Sequence, residues 1–99
     1  MKYEWDEEKN ETNKKKHKIP FEYAIRVFLD PYRIDWYDED NSGYNKYGEW
    51  EDRYVAIGYV DDVLFVVYTI RGKDNDVVRI ISARLAIGTE ITDYINNRS

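Results

Sequence analysis

The chain of 99 residues contains no cysteine, a single histidine and two prolines. The absence of cysteine excludes a disulfide framework, a thiol nucleophile and any cysteine-ligated metal. Nowhere do 18 apolar residues run together, and the first residues are acidic, so neither a transmembrane helix nor a signal peptide is predicted. We therefore expect a cytoplasmic protein without a membrane segment, a metal or another cofactor.

Basic residues are fewer than acidic residues. The chain has 15 basic and 20 acidic residues, for a net charge of −5. This balance argues against a protein that coats nucleic acid indiscriminately, although a local basic site depends on how the charges are distributed. The length predicts a single domain over residues 1–99 with a small core of its own.

The chain begins with two predicted helices. Residues 6–17 start with Asp6 as an N-cap and carry acids in the first turn and bases in the last, as the helix dipole favours. Pro20 suits the first turn of a second helix, in which apolar residues recur at helical spacing until Pro31.

The middle of the chain reads as strands. Four of them are predicted, over residues 33–37, 53–59, 63–71 and 77–83, with a polar loop at 38–49 and a last helix at 86–96. The short connections between the last three strands indicate an antiparallel meander. The prediction is an α+β fold with two N-terminal helices, a four-stranded, mainly antiparallel sheet and a C-terminal helix.

Two arginines stand out in the last strand. Arg79 interrupts the apolar segment over residues 77–84, and Arg84 closes it. Burying a guanidinium without a charged or hydrogen-bonding partner costs about several kcal/mol of folding free energy. Each arginine is therefore either paired with an acid or placed to meet an anion.

A second cluster lies on the first helix. Lys9, Asn13 and Lys16 are spaced i, i+4 and i+7, so they share a face, and His17 follows them. This face is either a solvated surface that complements the helix dipole or a cationic site. Histidine is the side chain best suited to acid–base chemistry near neutral pH, which makes His17 the strongest general acid or base in the chain.

Other site motifs are missing. Asp38, Glu39 and Asp40 lack the spacing of a calcium loop and fit a turn better. There is no phosphate-binding loop or nucleophile elbow, and Ser82 has no histidine near it in sequence. Metal and acyl-transfer chemistry are therefore disfavoured.

Several of these residues, taken in order, resemble the BrnT family of type II toxins. The resemblance rests on Trp5-Asp6, Lys9, Asn13, Lys16-His17, Phe21, Ala24, Val27-Phe28, Asp30-Pro31, Glu51, Arg53, Thr69, Arg71, the run from Arg79 to Arg84, Glu90 and Tyr94. It implies a RelE-like fold and a ribonuclease that arrests translation. It also implies a BrnA antitoxin with a ribbon-helix-helix domain, bound as a dimer in a heterotetramer, through which alone the toxin meets operator DNA.

The resemblance gives the candidate residues roles. Metal-independent cleavage uses the 2′-hydroxyl of the RNA as nucleophile, so the protein supplies a base, an acid and cations. The catalytic candidates are Arg79 and Arg84 for the phosphate charge, Lys16 for added charge, His17 for proton transfer, and Glu51 as an alternative base with Arg53 as its partner. The candidates for RNA binding are Lys9, Asn13, Arg71 and Trp5, and Trp5 either stacks on a base or anchors the first helix.

Two alternatives to the toxin stay open. In the first, the domain is a catalytically weak or inactive antitoxin-binding module and corepressor. In the second, it binds single-stranded RNA through the lysines and through Tyr44, Tyr47 and Trp50. Two departures from the family pattern bear on activity. Lys18 and Pro20 stand where glycine and serine are common, and Asn41 stands where a histidine is frequent.

Overall fold

The computed structural model describes residues 1 to 98. The strands are β1 (Lys2–Glu4), β2 (Ile34–Tyr37), β3 (Gly43–Tyr44), β4 (Trp50–Glu51), β5 (Tyr54–Val60), β6 (Asp62–Arg71) and β7 (Val77–Leu85). The helices are α1 (Glu7–His17), α2 (Phe21–Ala24) and α3 (Thr89–Arg98). Five strands form one sheet in the order β1-β7-β6-β5-β2, and β3 and β4 form a separate hairpin. None of the helices within residues 1 to 98 has the length and apolar character needed to cross a membrane.

The predicted α+β fold is confirmed, but the predicted four-stranded sheet is wrong. β1 adds a fifth strand that runs parallel to β7, with Glu4 opposite Arg79, so the sheet is mixed. Three residues are too few to show the alternation by which strands are recognised in a sequence. The edge of β7, and not a local pattern, makes residues 2–4 extended.

The prediction for the first helix is confirmed. The Asp6 carboxylate accepts hydrogen bonds from the backbone N–H groups of Glu8 (2.9 Å) and Lys9 (3.3 Å). The helix ends where Lys18 adopts a left-handed conformation with φ of 64°. Its buried residues are Asn10 and Asn13, so polar side chains, and not an apolar stripe, attach α1 to the sheet.

The other two helices differ from the prediction in their bounds. α2 ends at Ala24, and residues 25–29 continue as a 3₁₀ turn. This turn lies close against β5, where a Cβ on Gly58 would be 3.0 Å from the Cβ of Val27. α3 begins only at Thr89, because Gly88 has a φ of 53°, outside the helical region.

Apolar side chains cover both faces of the sheet. On one face, Phe21, Ala24 and Val27 from the α2 region pack onto the sheet. The residues of β5, β6 and β7 that they meet include Ala56, Leu64, Val66, Ile80 and Ala83. On the other face, Tyr94 of α3 belongs to a second cluster with Val55, Ile57 and Ala86.

A β-bulge interrupts the pairing of β6 with β7. Val67 lies opposite Ser82, whereas the next residue, Tyr68, lies opposite Ile80, so Ile81 is the extra residue. A bulge inserts one extra residue into one strand. Beyond the bulge, even-numbered residues point to the face of the sheet that odd-numbered residues occupied before it. Each side chain of β7 therefore points to the same face of the sheet as its partner in β6.

Candidate functional site

A groove of about 400 Å³ lies between α1 and β7. Its lining comprises Asp6, Glu8, Lys9, Thr12, Asn13, Lys16, His17, Lys46, Ile81 and Ser82. Three lysines and the histidine of the chain thus meet in one concave surface, with two acids from the start of α1. A cleft lined by several cations concentrates field lines and attracts anions.

The acids of this groove lie at the N-terminal end of α1. The backbone N–H of Lys9 lowers the pKa of Asp6, and the charges of Lys9 and Arg79 contribute in the same direction. Asp6 is therefore an ionised helix cap. Arg79 pairs with Glu4, two residues before Asp6, and so lies near the Asp6 end of the groove.

Arg79 and Arg84 project from the same face of the sheet. Arg79 lies opposite Thr69 and Arg84 lies opposite Phe65 in β6. Residues directly opposite each other in paired strands point to the same face of the sheet. Phe65 and Thr69 are four positions apart in β6, so they also share a face, and Phe65 packs in the cluster of Tyr94. Both arginines therefore lie on the α3 side of the sheet. Five positions separate the arginines in sequence, and only the bulge at Ile81 makes this spacing compatible with one face.

Each of the two arginines is paired with an acid. Arg79 forms a salt bridge with Glu4 across the β1–β7 pair. Arg84 donates two hydrogen bonds of 2.9 Å to the carboxylate of Glu90 and lies 3.9 Å from the ring centroid of Phe65. The Arg84 guanidinium holds the pKa of Glu90 below its usual value. Arg84 therefore connects β7 to the start of α3.

Glu51 holds two further arginines. Its Oε1 accepts a hydrogen bond from Arg53 at 3.2 Å, and its Oε2 accepts one from Arg71 at 2.9 Å. Both carboxylate oxygens of the predicted alternative base are thus occupied. The Nε of Arg71 is buried without a hydrogen-bond partner among residues 1 to 98.

Asn13 has a structural position, although it also lines the groove. Its side chain is 7% exposed and donates to the carbonyls of Ile19 (2.9 Å) and Ala83 (2.8 Å). Its Oδ1 accepts a hydrogen bond from the Ala83 backbone N–H at 3.2 Å. The amide of Asn13 therefore forms hydrogen bonds with the backbone N–H and carbonyl of Ala83 at the edge of β7, where a neighbouring strand would otherwise pair.

Trp5 lies at the base of the first helix. Its ring packs edge-on against Phe21, with ring centroids 6.3 Å apart, and its indole Nε1–H donates to Glu7. These contacts attach the start of α1 to the core. Of the two roles considered for Trp5, the geometry favours the anchor.

The groove collects only part of the predicted site. Lys9, Asn13, Lys16 and His17 line it, and Arg79, which pairs with Glu4, lies near one end. Its lining does not include Trp5, Glu51, Arg53, Arg71 or Arg84. Lys46 is not among the predicted site residues, because a single lysine in a polar loop carries no periodic signal. No group of three potential metal ligands occurs within residues 1 to 98.

The family is decided by the sequence match. Residues 5–90 match the model of the family described as "Ribonuclease toxin, BrnT, of type II toxin-antitoxin system". The chain belongs to the BrnT family. Because BrnT proteins are toxins of type II toxin–antitoxin systems, an antitoxin partner follows.

A solved BrnT structure agrees with this assignment. The chain is similar to the Brucella abortus ribonuclease toxin BrnT, with a TM-score of 0.65 and 25% sequence identity. The similarity covers 89% of this chain and 99% of the Brucella chain. No curated protein matches the sequence significantly. The α+β fold is thus one that an experimentally determined BrnT toxin shares.

Proposed function

We propose that this BrnT-family protein is an endoribonuclease that cleaves RNA without a metal in the groove between α1 and β7 and thereby inhibits translation. The observation that carries the proposal is the convergence of Lys9, Lys16, Lys46 and His17 on one groove. A RelE-like architecture and a single functional domain belong to the same proposal.

The chemistry requires only groups that protein side chains supply. A base removes the proton of the 2′-hydroxyl, whose oxygen attacks the adjacent phosphorus as the bond to the 5′-oxygen breaks. An acid returns a proton to that 5′-oxygen, which leaves a cyclic phosphate and a 5′-hydroxyl. His17 performs proton transfer, and the lysines stabilise the additional negative charge on the phosphate oxygens.

The arginines complete the proposed electrostatics. Arg79, which pairs with Glu4 two residues before Asp6, would offer its guanidinium to phosphate oxygens at that end of the groove. Three of the five N–H donors of Arg84 are engaged with Leu85 and Glu90 among the described residues. The remaining donors of Arg84 and the pair of Arg53 and Arg71 on Glu51 would contact flanking phosphates.

The antitoxin in this proposal is a BrnA-like protein with a ribbon-helix-helix domain. Its dimer would hold the toxin in a heterotetramer, and only the antitoxin would contact operator DNA. An acidic antitoxin segment would neutralise the cations of the groove most directly, because complementary charge favours both encounter and register.

One observation favours a second function. All four arginines of the predicted site, Arg53, Arg71, Arg79 and Arg84, form salt bridges within residues 1 to 98. Side chains held this way can be wholly structural. The chain would then be an inactive antitoxin-binding module that serves as a corepressor.

Induced expression separates the two functions. The unaltered chain should arrest growth, and purified protein should generate 5′-hydroxyl RNA ends in the presence of EDTA. His17→Ala should reduce cleavage about 100-fold to 10,000-fold, as expected for lost acid–base catalysis. Lys16→Ala should reduce it about 100-fold to 1,000-fold, as expected for one lost electrostatic donor.

Lys15→Ala is the matched control, because Lys15 belongs to the same helix but is exposed and lies outside the groove lining. It should keep full toxicity. Undiminished cleavage by His17→Ala would contradict the assignment of proton transfer. Normal growth on induction of the unaltered chain, combined with tight antitoxin binding, would instead identify the binding module.

A further inference from the structure

The β3–β4 hairpin carries an exposed group of aromatic rings beside the groove. Tyr44 is 76% exposed, Tyr47 75% and Trp50 55%. Tyr44 and Trp50 face each other across the hairpin, with ring centroids 5.2 Å apart and ring planes at 87°. Single exposed aromatics are common on protein surfaces, but three of them on one short hairpin indicate a binding surface.

Hydrogen bonds fix the turn of this hairpin. The Asn45 side chain accepts from the backbone N–H groups of Tyr47 (2.9 Å) and Glu49 (3.1 Å). Backbone hydrogen bonds also join Asn45 to Gly48 and Glu49. The rings are therefore presented on an ordered turn, so little conformational entropy is lost when a ligand covers them.

The base of the hairpin is fastened to the main sheet. The indole Nε1–H of Trp50 donates to Asp52 at 2.8 Å, and the hydroxyl of Tyr37 on β2 donates to the same carboxylate at 2.9 Å. The hydroxyl of Thr69 on β6 donates to the backbone carbonyl of Asp52. These hydrogen bonds hold Trp50 and the base of the hairpin in a defined position on the sheet.

Lys46 connects the hairpin with the groove. Its ammonium group lies 5.2 Å from the ring centroid of Tyr47, and the same residue lines the groove together with Lys16 and His17. A phosphate beside Lys46 would therefore have the Tyr47 ring close to a neighbouring base. Single-stranded nucleic acids are bound by this combination of a cationic path and stacking rings.

We propose that Tyr44, Tyr47 and Trp50 form a base-stacking subsite for single-stranded RNA next to the cleavage groove. The inference rests on the proposed ribonuclease function and adds how the substrate is held. Continuity with the cationic groove favours RNA over a protein partner at this hairpin. Stacking on a ring face is largely independent of base identity, so the subsite would give affinity and register and not sequence specificity.

The test measures binding separately from cleavage. The probe is a fluorescein-labelled, eight-nucleotide 2′-O-methyl RNA, which has no free 2′-hydroxyl for cleavage, and the readout is fluorescence anisotropy. Tyr44→Ala and Trp50→Ala should each weaken binding about 5-fold to 150-fold. Trp50→Phe, which loses the indole donor to Asp52 but keeps a ring, should stay within about threefold of the unaltered protein.

Tyr59→Ala is the matched control, since Tyr59 is also half exposed but lines a different pocket, beside Asp30 and Tyr94. It should leave RNA binding unchanged. If the hairpin variants bind RNA normally and lose affinity only for the antitoxin, the hairpin is an antitoxin surface and the inference is overturned while the ribonuclease proposal stands. If the unaltered protein neither binds nor cleaves RNA, both proposals fail.

Discussion

Replacing Asn13 with alanine should destabilise the fold strongly, although the residue lines the groove. The substitution removes three hydrogen bonds, to the carbonyls of Ile19 and Ala83 and from the Ala83 N–H. Leaving a buried polar group unpaired costs about 1 to 3 kcal/mol. Because water in the adjacent groove can reach part of this surface, we expect a total loss of about 3 to 5 kcal/mol. This is a large fraction of the roughly 5 to 15 kcal/mol that stabilises a typical domain.

Urea unfolding followed by tryptophan fluorescence measures this loss. Asn13→Asp should be at least as destabilising, because a carboxylate oxygen would replace the amide group that donates to two carbonyls. Lys15→Ala, at an exposed position of the same helix, should change the free energy of unfolding by less than about 0.5 kcal/mol. A loss below about 1 kcal/mol in Asn13→Ala, together with lost RNA binding, would refute the structural role and make Asn13 a substrate ligand.

Two further predictions concern the pairing of β7 with α3 and the packing of β5. Arg84 lowers the pKa of Glu90 from 4.5, so this carboxylate stabilises the fold above pH 4.5 and ceases to do so as the pH falls through the lowered value. The difference in unfolding free energy between the unaltered protein and Glu90→Gln should therefore be largest above pH 5 and shrink in acid; a constant difference would contradict the pairing. Gly58→Ala should cost about 1 to 3 kcal/mol by urea unfolding, because the new Cβ would meet Val27 at 3.0 Å. Gly43→Ala, where nothing lies within 4 Å, is its control, and equal stability of the two variants would exclude a tight contact.

Local patterns in the sequence predict most of the elements. The cap and charge order of α1 lie within the helix itself, and the three long strands carry enough apolar residues to be recognised. β1 was missed because its conformation depends on a strand some 75 positions away. α2 was predicted too long, because helical spacing does not distinguish an α-helix from a 3₁₀ turn tightened against β5.

The contacts of the candidate site are harder to predict from the sequence than the fold. The i, i+4, i+7 spacing placed Lys9, Asn13 and Lys16 on one face correctly, but it could not show that the middle residue faces a strand edge. The partners of the arginines are equally hidden, since Glu51 lies 20 positions from Arg71. Ion pairs between distant segments depend on the register of the sheet, and no sequence window contains that information.

The attachment of α1 to β7 also sets the order of events during synthesis. Asn13 and Ala83 are 70 positions apart, and an isolated helix of 11 residues is only marginally stable in water. At about 5 to 20 residues per second, the ribosome needs roughly 4 to 14 seconds to make the strand that completes the groove. The residues of α1 that line the groove are therefore made before the residues of β7 that complete it. A nascent chain has no assembled groove until β7 has left the ribosome.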